Sequence, residues 1–283
     1  MALERGRGPL VESRFTYEID GSVALIGINR QEKRNALHDQ MFAELGRLVE
    51  TAADDAKAAV IFGVGPDFSA GLDLAETARR LVDGGFERSR VGPHTPHVAF
   101  DKIVRGRIPV IAALTGAVVG AGLEVAASAH IRVADDTAFF ALPEAQRGIF
   151  VGAGGSVRIQ RLLGNARMTD MMLTGRVLDA DQALAQNLVQ YRVGEGEALE
   201  TARRIAKTVA DNTPESNWAI MQGLARVNDM SYDDALYVET LVARNAISAD
   251  SEQRLRDFVE KRAKPLDRPS PSHRLPRPSE GAE

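Results

Sequence analysis

Residues 109–126 read PVIAALTGAVVGAGLEVA. Pro109 opens an apolar run, VIAAL at 110–114, of the length and composition of a strand. Gly116 to Gly122 is then glycine-rich, and LEVAAS at 123–128 continues as a helix whose single carboxylate is Glu124. Strand, glycine turn and helix in immediate succession form the unit from which α/β proteins are built.

The turn also fits a different scheme. Thr115-Gly116-Ala117-Val118-Val119-Gly120-Ala121-Gly122 matches the TGxxxGxG turn of short-chain dehydrogenases, which cradles a dinucleotide. Three observations oppose that reading. The turn lies more than a hundred residues into the chain, where that family begins with it. Tyr17, Tyr191, Tyr232 and Tyr237 each lack a lysine four places on, so the Tyr-x-x-x-Lys pair is missing. Glu124 would repel an incoming pyrophosphate.

Outward from this stretch, the pattern repeats. FTYEI and SVALIGI alternate around Asp20-Gly21 and predict a hairpin over 15–28. Leu37, Met41, Phe42, Leu45, Leu48 and Val49 fall at helical spacing, predicting a helix over 35–52. AAVIFGV at 58–64 is a short buried strand, and PDFSAGLDLAE is a turn entering a helix with acidic residues in its first turn. Val82 to Pro96 is polar with glycines and prolines, predicting a mobile loop, and helical character resumes over Phe100 to Ile103. Downstream, HIRVAD and AFFALPE read as strands and GAGGSVRIQRLLG opens a helix. From Asp179 onward the pattern is mainly helical. Five prolines with serines and arginines predict a disordered tail over 265–283.

Composition narrows the function. The chain of 283 residues is 44% hydrophobic and 26% charged, the balance of an ordinary soluble protein. A net charge of −4 gives no general attraction for nucleic acid. The absence of cysteine excludes disulfides, thiol nucleophiles and thiolate-held metals, and it fits a cytoplasmic setting. No apolar run reaches the roughly 20 residues that span a bilayer, and Met1 to Leu10 does not read as a signal peptide. His94 and His97, three apart in a loop-like stretch, are expected to be solvated rather than metal ligands.

Two glycine turns, Ser69-Ala70-Gly71-Leu72 and the one ending at Gly122, each lead from a strand toward a helix. Helix-initial N–H groups lack internal partners, so two such turns can aim donors at one developing oxyanion. Glu124 in an apolar helix and Glu144 after Pro143 at a strand end are two glutamates in apolar company. A carboxylate so placed must be paired, protonated or functional, and two of them suit acid–base work on a substrate between them.

NRQEKRNAL (29–37), FSAGLDLAE (68–76), PVIAALTGAVVGAGLEVA (109–126) and FFALPEAQRGIFVGAGGSVRIQRLLG (139–164) together resemble, in order and spacing, the successive signatures of the enoyl-CoA hydratase, or crotonase, superfamily. TGRVLDADQALAQNLV (174–189) resembles the family's next segment, and the likeness extends over about residues 15 to 265. The resemblance implies an α/β fold, a crotonase-type ββα spiral core over 1–195, with a helical trimerisation region over 196–264. It implies Leu72 and Ala121 as oxyanion-hole donors, alanine standing where the family usually has glycine, and Glu124 and Glu144 as the catalytic pair. By similarity, Lys33, Arg34 and the stretch Ala70 to Leu74, with Asp73, would flank the CoA moiety. The activity implied is hydration of an α,β-unsaturated acyl-CoA by a homotrimer or homohexamer, with no metal or redox cofactor and no nucleic-acid or membrane partner.

Narrower features, LPEAQRGIFVGAGGSVR and Ser216-Asn217-Trp218, resemble the methylthioacryloyl-CoA hydratases. Phe139, Phe140, Phe150 and Trp218 are candidates for either acyl pocket or core. Competing readings are an enoyl-CoA isomerase using Glu144 alone, a thioester hydrolase using the same oxyanion hole, and an RNA-binding relative, which the acidic balance and intact carboxylate pair oppose.

Overall fold

The computed structural model describes residues 14–82 and 95–263; the N-terminal segment, most of the predicted 82–96 loop and the predicted tail lie outside the described residues. β1 (Phe15–Asp20) and β2 (Val23–Ile28) form the predicted antiparallel hairpin. β3 (Ala58–Gly63), β4 (Val110–Leu114), β6 (Ile131–Asp135) and β9 (Tyr191–Val193) extend it in parallel, giving the order β1-β2-β3-β4-β6-β9. A second sheet has the order β5-β7-β8, from Ala117–Val119, Phe139–Ala141 and Val177–Asp179.

The two sheets are built together, one turn of chain at a time. After β4 the chain adds β5 to the second sheet and then forms α4 (Ala121–Ser128). After β6 it adds β7 and then α5 (Gly155–Leu163). The earlier turns do the same in rudimentary form. Leu37 pairs with Leu72, and Ser69 with Val118, as isolated parallel bridges. These precede α1 (Asp39–Asp55) and α2 (Leu74–Val82) respectively. Strand, second strand or bridge, helix: this repeat is the ββα spiral.

The central strands β2, β3, β4 and β6 are buried on both faces, which explains why the first three read as continuous apolar runs. Ala24, Ile26, Ile28, Ala59, Ile61, Ala112 and Leu114 point into the main core with α1, α3 (Thr95–Val104) and α4. Val23, Leu25, Ala58, Val60, Ile111, Ala113 and Val133 point the other way. They meet α8 (Ala198–Ala210), which presents Ala198, Ala202, Ala206 and Ala210 at a spacing of four. α8, which follows the expected 195/196 boundary, thus packs on the sheet, and the region standing apart from the sheet begins with α9 (Pro214–Val227).

Several expected elements are shifted. α1 begins at Asp39 rather than 35, because Arg34 and Asn35 take left-handed backbone angles (φ 50 and 57) that no helix accommodates. α3 begins at Thr95, with Pro96 in its first turn where its missing N–H has no helical acceptor to lose; His97 is thus on a helix rather than in a loop, exposed, and His94 lies outside the described residues. The three-residue strands β5, β8 and β9 are too short to show an alternating pattern, and two of them lie in stretches read as turn or helix. α6 (Asn165–Thr174) packs on α5, and α7 (Ala180–Ala185) packs on β7 and β8, starting at a capping box on Asp179. α9 packs on α10 (Tyr232–Asn245), and neither α10 nor α11 (Ala249–Val259) buries a residue. Among the described residues no helix is long and apolar enough to cross a membrane.

Candidate active site

The bridges of the second sheet bring the two glycine turns together. Leu37 N–H donates to Gly71 O (2.7 Å) and Asp73 N–H to Leu37 O (2.8 Å), so Leu72, lying between them, has its N–H turned away from this pairing. Gly71 sits at φ 95, and a Cβ added there would lie 2.7 Å from Val119 O and 3.6 Å from Ala121 N. Glycine is required by both the angle and the approach. Ala121 is the first residue of α4, where helix geometry leaves the N–H without an internal acceptor. Among the described residues nothing accepts from Leu72 N–H or Ala121 N–H.

One buried side chain organises the first turn. Asn35 Oδ1 accepts from Arg30 N–H (2.8 Å), while Nδ2 donates to Val64 O (3.1 Å) and Asp67 O (2.7 Å). Ser69 Oγ donates to Asn35 O (2.8 Å) and accepts from Gly71 N–H (3.1 Å), carrying that order to the residue before Leu72. Asn35 tolerates the left-handed angle better than most residues, which suits it to this corner.

The residues expected near CoA are placed as follows. Arg34 donates to both carboxylate oxygens of Asp67 (2.8 and 3.1 Å), and Asp67 Oδ1 also accepts from Ala117 N–H (2.8 Å). These bonds hold the Asp67 carboxyl below its usual range despite desolvation. Lys33 is exposed on the neighbouring 3-10 turn, Ala70 is half-buried and Leu74 is exposed at the start of α2. Asp73 is buried: it accepts from Glu76 N–H (3.1 Å), capping α2, and pairs with Arg30 Nη1 (2.8 Å). Its carboxylate is therefore committed to the protein, as are its N–H, given to Leu37 O, and its carbonyl, which accepts from Thr77 N–H and Thr77 Oγ1 (both 3.0 Å).

The two glutamates are both buried, Glu124 to 3% and Glu144 to 6% exposure. Glu124 stands on the first turn of α4, and its Oε1 accepts from Ala153 N–H and Gly155 N–H, both at 2.8 Å. Burial raises its pKa, against the pull of these two N–H groups and of the Arg158 and His97 charges. Glu144 stands between β7 and a 3-10 turn, with Oε1 2.8 Å from where a Cβ on Gly120 would lie and Oε2 buried without a partner. Burial pushes its pKa up to about 7; its own N–H and Arg147 pull down, while the charge of Glu124 pushes up. The carboxylates are thus electrostatically coupled, and both border the Gly120–Ala121 turn, Glu144 through Gly120 and Glu124 through the helix that follows.

The aromatic candidates are not gathered. Phe140 is in the core, Phe150 is 68% exposed beyond Glu144 and Trp218 is 43% exposed on α9. Among the described residues no group of three or more His, Asp or Glu is arranged to hold a metal ion. Sequence reasoning passed over Asn35, Ser69, Asp67 and Arg158. All four lie inside the quoted stretches, but the bonds of Asn35 to Asp67, Ser69 to Asn35, Asp67 to Arg34 and Arg158 to Asp101 span 32 to 57 positions, and spacing carries no sign of those.

The site now has relatives. A mevalonyl-coenzyme A hydratase of Aspergillus fumigatus is 36% identical over 254 residues, 88% of this chain and 92% of that protein. A short-chain-enoyl-CoA hydratase of Clostridium acetobutylicum is 31% identical over 249 residues, 87% of this chain and 94% of its own length. The crystal structure of a candidate enoyl-CoA hydratase from Rhodopseudomonas palustris superposes with a TM-score of 0.81 at 44% identity, covering 88% of this chain and 95% of that one. The sequence profile described as enoyl-CoA hydratase/isomerase matches residues 18–268, and the chain belongs to that family.

Proposed function

We propose that the protein is an enoyl-CoA hydratase, a lyase that adds water reversibly across the α,β double bond of an acyl-CoA thioester. The observation that carries this reading is the unequal pair of buried glutamates beside two N–H groups without acceptors. Leu72 N–H and Ala121 N–H would hold the thioester oxygen and stabilise the enolate that forms on addition. A donor of this kind contributes roughly 3–4 kcal/mol to the transition state. Glu124, whose ionised form is held by two N–H groups, takes the proton from the attacking water. Glu144, poised at about 7, supplies the proton to Cα. The same chemistry run backward returns both protons, so no redox cofactor enters.

Isomerisation needs only one shuttling carboxylate, and the built seat of Glu124 favours hydration over it. Lys33, Arg34 and the stretch holding Ala70, Asp73 and Leu74 form the CoA side of the site in this reading, with the phosphates meeting the cations. Leu224, Leu236, Leu241 and Phe258 leave apolar surface exposed on α9 to α11, which self-association as a trimer or hexamer would cover. We place the enzyme in the cytoplasm.

The test is incubation with crotonyl-CoA and methylthioacryloyl-CoA, following loss of the conjugated thioester absorbance and identifying products by mass. Hydrated product from wild type, lost in Glu124→Gln and Glu144→Gln, is expected. Free CoA as the main product would move the assignment to hydrolysis, and folded protein that consumes neither substrate would overturn it. Sedimentation showing only monomer at micromolar concentration would remove the self-association.

A further inference from the structure

The loop that seats Glu124 is gripped from its other side. Arg158, on the first turn of α5, turns its guanidinium back so that Nη1 donates to Ala153 O (2.8 Å) and Nη2 to Asp101 Oδ1 (3.1 Å). Its Cζ lies 6.0 Å from the centre of the Phe100 ring. Ala153 is thus held at both polar groups, its carbonyl by Arg158 and its N–H by Glu124 Oε1. Asp101 and Phe100 belong to α3, so the guanidinium joins α3 and α5 to the loop that faces α4.

Stability alone gives little reason for this arrangement. The Arg158 side chain is only 15% exposed, whereas Asp101, its partner, is 48% exposed. A largely buried cation whose counter-charge sits half in water is a weak source of folding energy, and apolar filling often serves as well. Its geometry is instead directed at the loop that holds a carboxylate.

We propose that Arg158 is a positioning residue for the reaction, locking the Ala153–Gly155 loop so that both N–H groups converge on Glu124 Oε1. The inference rests on the reading of Glu124 as the base. The charged groups that bear on Glu124 are Arg158 from α5, His97 from α3 and Glu144 from the end of β7. Arg158 in turn feels Asp101 and Arg105. Removing the guanidinium therefore withdraws both a positive charge and the support of two N–H donors, and each loss disfavours ionised Glu124. Removing the Asp101 carboxylate does the opposite, since it unmasks the Arg158 charge and leaves the bond to Ala153.

The test is the pH profile of kcat/KM for Arg158→Gln, Arg158→Lys and Asp101→Asn on the hydratable enoyl-CoA. Alongside it runs a ¹³C titration of the Glu124 carboxyl, assigned by its absence in Glu124→Gln. Arg158→Gln is expected to lower kcat by about 10–100-fold with little change in KM. Its acid limb should move up by roughly one pH unit. Arg158→Lys should return the limb toward wild type but recover only part of kcat. Asp101→Asn should move the limb downward. An unmoved limb and unmoved Glu124 titration in Arg158→Gln, with only a lower Tm, would overturn the proposal. If that variant does not fold, a downward limb in Asp101→Asn, with Arg158→Lys keeping its limb near wild type at a lowered kcat, supports the proposal, and an unmoved limb in Asp101→Asn overturns it. Wild type that leaves every enoyl-CoA unchanged would overturn the hydratase reading, while the carboxyl titration would still decide the role of Arg158.

Discussion

Glu124 and Glu144 are buried to nearly the same extent, yet their seats differ in kind. The first has one oxygen accepting two backbone N–H bonds and feels the Arg158 and His97 charges. The second has an oxygen with no partner and feels the negative charge of the first. Burial by itself would drive both toward the protonated form. Fixed backbone donors separate them, because a donor rewards only the ionised state. In the proposed reading, an acid and a base are made from one residue type beside one glycine turn, with the division written in the loop 153–155 and the bare oxygen of Glu144.

The largest effect expected from disturbing this contrast is on turnover. Glu124→Gln and Glu144→Gln should each lower kcat by about 10²–10⁴-fold, the range of a lost general acid or base. A variant retaining activity within tenfold of wild type would break the two-carboxylate division. Next come the glycines that wall the seats. An added Cβ at Gly120 would lie 2.8 Å from Glu144 Oε1, and one at Gly155 would lie 2.8 Å from Glu124 Oε1. Gly120 also has φ 50, so Gly120→Ala combines strain with the clash, and a kcat loss of about 10²-fold is expected. Gly155→Ala should cost less if the Glu124 side chain can shift, and steady-state kinetics of the two variants ranks the rigidity of the seats.

A smaller effect separates the seats by pH. If Glu144 must deliver a proton, kcat/KM should fall about tenfold per unit once pH passes well above 7, where that group ionises. Glu144→Gln should remove this limb from its residual activity. The smallest effect is thermodynamic. The folded state binds the Glu144 proton more tightly than the unfolded chain, so wild type loses stability as pH rises from the unfolded carboxyl value, about 4.5, through about 7. Glu144→Gln is exempt, so at pH 8 its Tm should exceed that of wild type by roughly 7–14 °C, the gap closing below pH 4.5. Thermal melts at pH 4 and pH 8 check the sign, and an equal Tm at both would mean that Glu144 ionises without penalty.

Much of the molecule was legible in sequence because burial leaves a periodic trace. The strands 23–28, 58–63 and 110–114 read as apolar runs because helices cover both faces of their sheet. Glu124 and Glu144 stood out because a carboxylate amid alanines and phenylalanines is out of place. What escaped notice has no local signature. Nothing near Asn35 shows that its amide reaches Val64 O and Asp67 O, and nothing in SVRIQRLLG distinguishes Arg158, folded toward Ala153, from Arg161, which pairs with Asp229. The place of α8 in the core layer is hidden for a related reason: its burying face is alanine, which hydropathy weighs lightly, while its larger Ile205 and Val209 are only partly covered.

That alanine face also sets which sequences this fold can become. Ala198, Ala202, Ala206 and Ala210 are between 0% and 2% exposed, and single methyl groups fix how closely the helix approaches the large sheet. Anything larger at those four positions must lift a helix off strands β2, β3, β4 and β6 at once, whereas Arg204 and Thr208 face water and can change with little effect on the packing. Descendants of this chain are thus free to rewrite one side of α8 and are pinned on the other, with a period of four residues marking the boundary between the two.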